Sequence, residues 1–517
     1  MNHPESAAAP RNSPAKTQRS PGERRRAKAD RQSLGGDGVR LGESAAGEEA
    51  PEGRPATAVR SRPALNLLSL VAATFFVVSG GPYGLEEIVA TNGYAQTLVL
   101  LLLVPLLWSL PIALLVGELG SSLPKEGGYY AWVRRALGPF WGVQEAWLAL
   151  AMSLFDMAIY PTLLVTYLGR LFPALQDTSF GAPGWLAGLA MIVVCAWWNI
   201  RGSRVVGLLS ILMGSALLLP FIGLVMLALM GKGPVSFAGA LELLKAAPPS
   251  GAHGGKALWL SGLLLCMWNY MGWDNASTVA AEVEQPQRNY PRAMLLTIVL
   301  VSLCYVLPVL AATVSGIPPE SWNTGTWVEV GGRLGGPVLS LTIAIGGALC
   351  GLGMFTVLVM SYSRLPMAMA RDGLLPRWIG WQDPRSGAPT RAIVIAAALY
   401  AACMGLGFRR LVEIDVLLYG AVLSLEFISL VVLRIREPNL HRPFRIPGGI
   451  PVIILMGMLP LGLLLTALWA QRDESAGFWG ITSLQFGALV IFLGPLLFAA
   501  QHFLSRRKRA QLPRESV

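Results

Sequence analysis

Between residues 65 and 503 the chain returns twelve times to a mostly apolar run of membrane-crossing length. One crossing takes about 20 apolar residues in a helix. Lipid offers no hydrogen bonds, so the backbone must pair within the segment. The runs are 65–92, 96–121, 139–171, 183–200, 205–230, 257–281, 292–315, 336–363, 391–407, 411–433, 449–470 and 478–503. None alternates with the period of two that a barrel strand needs. The expected fold class is therefore all-α integral membrane, with about 12 transmembrane helices. A 53% hydrophobic, 14% charged composition agrees with that.

Two of the runs are interrupted where they should be most regular. The first carries Gly80-Gly81-Pro82-Tyr83-Gly84-Leu85-Glu86-Glu87, and the sixth carries Asn269-Tyr270-Met271-Gly272-Trp273-Asp274. Irregular backbone and charge persist at membrane depth only where protein or a wet cavity surrounds them. Five runs up to about 230 and five from 257 to 433 form comparable sets, each opening on a broken helix. An odd number makes the second set enter from the opposite face, which is a 5+5 inverted repeat with broken helices 1 and 6. The two runs in 449–503 stand outside it.

The domain expected from this is a transmembrane unit over 64–503, with repeats at about 64–230 and 257–433. A basic tail over 1–63, rich in Pro, Ser, Gly and Ala, is expected to be disordered. A second basic tail covers 504–517. The net charge of +11 does not mark a nucleic-acid binder. With both termini inside, most of the 41 Lys and Arg fall on the inner face, as the positive-inside rule requires. Attraction to the anionic lipid of a cell (plasma or inner) membrane accounts for the excess. Cys195, Cys266, Cys304, Cys350 and Cys403 all fall in apolar runs and read as small buried hydrophobes. The four histidines lie in tails, loops or a span end. No cofactor or metal set, and no enzyme's nucleophile–base cluster, can be drawn from them.

Acids within the spans include Glu86, Glu87, Glu118, Glu145, Asp156, Asp274 and Glu426, while basic residues are confined to ends and loops. Gly81, Pro82 and Gly84 free backbone groups for a ligand. Glu86 and Glu87 point about 100° apart, so one can face a cavity, and Glu86 is the first choice. Asp156 and Asp274 sit near mid-span. Tyr160 shares a face with Asp156, four residues on. Trp268, Tyr270 and Trp273 can wall a cavity or simply pack. Glu145 lies lower on the same helix and reads as a pair or gate. Tyr419 and Glu426, seven apart, share a face and read as gate or proton relay, with helix-to-helix hydrogen bonding as the plain alternative. A cavity rich in carboxylates and lacking Lys or Arg suits cations, and aromatic rings add attraction for ammonium. Separated carboxylates suit a di- or polyamine, and the same acids can carry protons. Unwound carbonyls leave sodium open as well.

These residues carry a family resemblance. Ser79-Gly80-Gly81-Pro82-Tyr83-Gly84-Leu85-Glu86, Glu126-Gly127-Gly128-Tyr129, Ala136-Leu137-Gly138-Pro139-Phe140-Trp141-Gly142, Asp156 to Pro161, Trp268 to Asp274, Glu282-Val283-Glu284 and Leu425-Glu426-Phe427 resemble the amino acid–polyamine–organocation superfamily. The chain is most similar, over roughly 64–500, to polyamine uptake transporters of plants and their protozoan and bacterial relatives. The resemblance implies a LeuT-like fold, alternating access, and proton-coupled uptake of a polyamine such as putrescine or spermidine. It places substrate at the first and sixth helices, near Glu86, Asp156, Tyr160, Trp268, Tyr270, Asp274 and Glu426. An amino-acid permease or exchanger of the same fold is the alternative. Oligomeric state is not legible.

Overall fold

The computed structural model describes residues 65–246, 255–402, 404, 408–470 and 482–510. The expected disordered tail, residues 511–517 of the second basic tail and Cys403 lie outside these. The first repeat is built from α1 (Leu67–Val78), α2 (Glu86–Val104), a π-helical turn (Pro105–Ser109), α3 (Leu110–Ser122), α4 (Gly128–Leu137), α5 (Pro139–Gly169), α6 (Pro183–Ile200) and α7 (Ser203–Leu229). A short α8 (Phe237–Lys245) precedes the second. That repeat holds α9 (Gly255–Asn269), a 3-10 helix (Trp273–Glu282), α10 (Pro286–Ala312), α11 (Thr326–Arg371), α12 (Thr390–Ala402) and α13 (Phe408–Arg436). Finally come α14 (Gly449–Ala470) and α15 (Ser483–Ala510). The bundle is all-α, with twelve spans and the 5+5 inverted order.

Among the described residues, eight helices are long and apolar enough to span a membrane unaided. The remaining spans come from shorter apolar helices and from the two interrupted ones. Alpha helix α2 kinks at Gly93, which ends the second half of the first span and starts the second. A comparable kink at Gly336 turns the surface stretch 326–335 into the eighth span. Large side chains such as Leu212, Leu219, Phe492 and Leu496 are more than half exposed, which suits acyl chains rather than water. Helix α11 packs against α5 and α7, and α13 against α5, so the uninterrupted helices brace the broken ones.

Helix α4 lies across one end of the bundle. The Gly127 N–H donates to the Thr278 carbonyl (3.2 Å) and the Tyr129 N–H to Ser277 Oγ (3.2 Å), docking α4 on the 3-10 helix. Arg135 makes a forked pair with Glu437 just beyond α13 and holds that carboxyl below its ordinary range. Cys195, Cys266, Cys304 and Cys350 are buried free thiols.

Candidate functional site

Both interruptions are dictated by glycine. Gly81 has φ +105°, and a Cβ there would meet Leu217 at 2.6 Å. Gly272 has φ +94°, and its Cβ would meet the Val77 carbonyl oxygen at 2.7 Å. That second contact is backbone, which cannot swing aside. It brings the two breaks against one another, so Gly272→Ala is expected to push them apart and cost about 1–3 kcal/mol. A lowered thermal midpoint of the purified protein would measure this.

Between the breaks lies a narrow cavity of about 20 Å³, room for a water molecule or so. Val77, Val78, Ser79 and Tyr83 contribute from the first break, and Trp268, Asn269, Met271, Gly272 and Asn275 from the second. Asp156 and Tyr160 come from α5, Tyr362 from α11 and Tyr419 from α13. Helix α1 ends at Val78 and α9 at Asn269. Helix C-termini carry partial negative charge, so their ends favour a cation here. Asp156 is the lining carboxylate. Its Oδ1 accepts from Tyr160 (2.6 Å) and its Oδ2 from Tyr362 (3.4 Å). No Lys or Arg is among the lining residues.

A second acid stands close by. Asp415 is completely buried, within electrostatic range of Asp156, and faces the Trp268 indole. Sequence reasoning passed over it. The signal was there: Asp415, Tyr419, Val422 and Glu426 are spaced 4, 3 and 4 along α13 and share one face.

Away from the cavity wall, toward α4, lies a further group. Tyr419 links the two. Its hydroxyl accepts from the Gly272 N–H (3.0 Å) and donates to Asp274 Oδ1 (2.6 Å). Asp274 Oδ2 and both oxygens of Glu145 and Glu426 are buried without a hydrogen-bond partner. The three carboxyls lie within mutual electrostatic range. Tyr419, Asp274, Glu145 and Glu426, singled out from three separate stretches, thus come together.

Other expected site residues serve the framework around the cavity. Glu86 is outside its wall. Glu86 accepts from the Gly84 N–H (2.7 Å), the Gly325 N–H (3.2 Å) and the Tyr167 hydroxyl. It therefore joins the second half of the first broken helix to α5 and to the start of α11. The Pro82 carbonyl accepts from Trp327 Nε1 (3.0 Å). Tyr270 donates to the Leu101 carbonyl (3.0 Å), and Trp273 Nε1 to the Tyr270 carbonyl (2.9 Å). Both rings are buried packing behind the second break.

The α4 end is closed by ion pairs. Arg364, expected in a basic connection, instead lies inside α11 and binds Glu282 at 2.9 Å; their side chains are 1% and 7% exposed. Glu118 pairs with Arg434 at 2.5 Å and Arg442 at 3.3 Å, and accepts from the Ile446 N–H. Apolar runs conceal such residues because the aliphatic stem of arginine packs like the rest of the span.

A small cavity where two interrupted helices meet, with a carboxylate in its wall, shut at one end by ion pairs and at the other by Glu86, is useful only if each end opens in turn. That is the working principle of a secondary transporter, and the protein is of this class. A family model described as amino acid permease matches residues 68–493, and the chain belongs to that family of multi-pass membrane permeases. It is 32% identical over 449 residues to a probable polyamine transporter of Arabidopsis thaliana, covering 86% of this chain and 87% of that protein. It is 32% identical to the polyamine transporter PUT1 of Oryza sativa subsp. japonica, covering 84% and 78%. It is 26% identical to the Asc-type amino acid transporter 1 of Mus musculus, covering 66% and 65%.

Proposed function

We propose that this permease imports polyamines, putrescine and spermidine being the type cargo, by proton symport across a cell membrane with both termini cytoplasmic. The observation that carries the reading is the pairing of Asp156 with Asp415 at a cavity that no Lys or Arg lines. Two buried carboxylates repel and lose their hydration unless cations approach them. A diamine brings an ammonium for each, and Trp268, Tyr160 and Tyr362 offer ring faces around it. The polyamine transporters among its relatives support the same cargo.

On this reading Gly81, Pro82 and Gly84 shape the unwound stretch, and Asp274 and Tyr419 connect the cargo cavity to the cytoplasmic half. Glu86 holds the outer end shut. Sodium is the rival coupling ion.

Amino-acid transport is the second reading. The unwound backbone at Gly80–Gly84 can hold a carboxylate, and one relative is named for amino-acid transport. Proteoliposome uptake of labelled putrescine, spermidine, arginine and leucine, with and without an inward proton gradient, separates the two. The expected result is putrescine and spermidine accumulation that collapses with the proton gradient. Leucine accumulation without putrescine uptake would establish the second reading instead.

A further inference from the structure

Glu145 in α5, Asp274 in the 3-10 helix and Glu426 in α13 are each at most 1% exposed, and five of their six carboxyl oxygens have no hydrogen-bond partner. A second group is aimed at the same spot. Tyr129 of α4 is fully buried, its hydroxyl is unpartnered, and it lies in electrostatic range of all three acids. Buried polar groups are normally paired. Six unsatisfied oxygens in one place therefore call for something that brings positive charge or hydrogen-bond donors.

The surroundings narrow the choice. The titratable groups beside the three acids are Tyr129 and Tyr419, with Tyr400 next to Tyr129, all phenols; among the described residues no Lys or Arg acts on the three acids. The three carboxyls do not converge as metal ligands do. The cluster is also outside the cargo cavity, whose wall contains Tyr419 but none of the three acids. What a close-packed group of carboxyls can accept without extra room is the proton itself.

We propose that Glu145, Asp274 and Glu426 form the site that takes the coupling proton, separate from the cavity-lining Asp156 and its buried neighbour Asp415. This rests on the proton-symport reading above. The device that joins the two sites is Tyr419, whose hydroxyl touches the Gly272 amide on one side and Asp274 on the other. A proton on the cluster lowers the repulsion, since one of the three carboxyls becomes neutral, and lets the 3-10 helix sit closed against α5 and α13. Its loss, once water reaches the α4 end, drives those elements apart and alters the bond from Tyr419 to the backbone that walls the cargo. Both atoms and charge balance: one carboxylate oxygen gains a proton from the outer side and yields it to water on the inner.

The test uses the purified full-length transporter carrying Glu426→Gln or Glu145→Gln, with Tyr129→Phe as a milder third variant should either fail to fold. Intrinsic fluorescence is titrated with pH and no cargo present, since Trp108 lies 6.0 Å from the Tyr419 ring and reports on it. Wild type should show a pH transition that moves by about a pH unit or more in each variant. In proteoliposomes the Gln variants should keep labelled-cargo exchange between equal pools, yet lose about tenfold or more of gradient-driven accumulation. An unmoved transition together with wild-type accumulation overturns the proposal. If wild type exchanges leucine and not putrescine, the cargo reading fails alone, and the same two readouts with leucine still decide the proton site.

Discussion

Asp156→Asn is expected to lower putrescine uptake by about a hundredfold, the cost of removing one partner from a buried charge contact. The loss should appear with dicationic cargo and be read from initial rates in proteoliposomes. Two features make the effect large. The carboxylate is the one acid in the cavity wall, and two phenols hold its oxygens in place. Tyr160→Phe removes one of those holds and leaves the charge, so it should cost far less, about tenfold. Uptake by Asp156→Asn within threefold of wild type, at about equal protein amount, would remove Asp156 from cargo binding.

The second large effect concerns the closure at the α4 end. Replacing Arg364 alone by Met leaves Glu282 buried and unpaired, at a cost of about 3–5 kcal/mol. The thermal midpoint of the purified protein should fall accordingly, and transport with it. Replacing both partners, Arg364→Met with Glu282→Leu, removes the stranded charge and should restore most of the stability. It should not restore transport if the pair, which links α11 to the end of the second broken helix, also holds the α4 end shut. A double variant that is both stable and fully active would make the pair a packing element only.

Much of this was legible in the sequence. The runs expected at 183–200 and 449–470 coincide with α6 and α14; the first break falls where glycine and proline crowd its run, and the second at Gly272. Apolar length and glycine act locally, so one stretch of sequence suffices to read them. Helix α4, α8 and the stretch 326–335 were not anticipated as helices, because each is too short to cross a bilayer. The role of Glu86 was open for a different reason. Its neighbour at 87 showed that only one acid need turn inward, but the hydroxyl that meets it belongs to Tyr167, a full 81 residues later. Asp415 was missed although it shares a helix face with Tyr419 and Glu426. It stands five residues after Arg410, near the start of the run 411–433, where a charge is common.

The cavity of about 20 Å³ is smaller than any diamine. Binding must therefore draw on a wider form of the site that is only a fraction of the population. The affinity seen at equilibrium is then the affinity of that wider form multiplied by its fraction. Changes far from the cavity that favour the wider form, such as loosening the hold of Glu86 on Tyr167, should make the cargo bind more tightly without touching it. Tight binding and fast turnover would then be tuned by different residues.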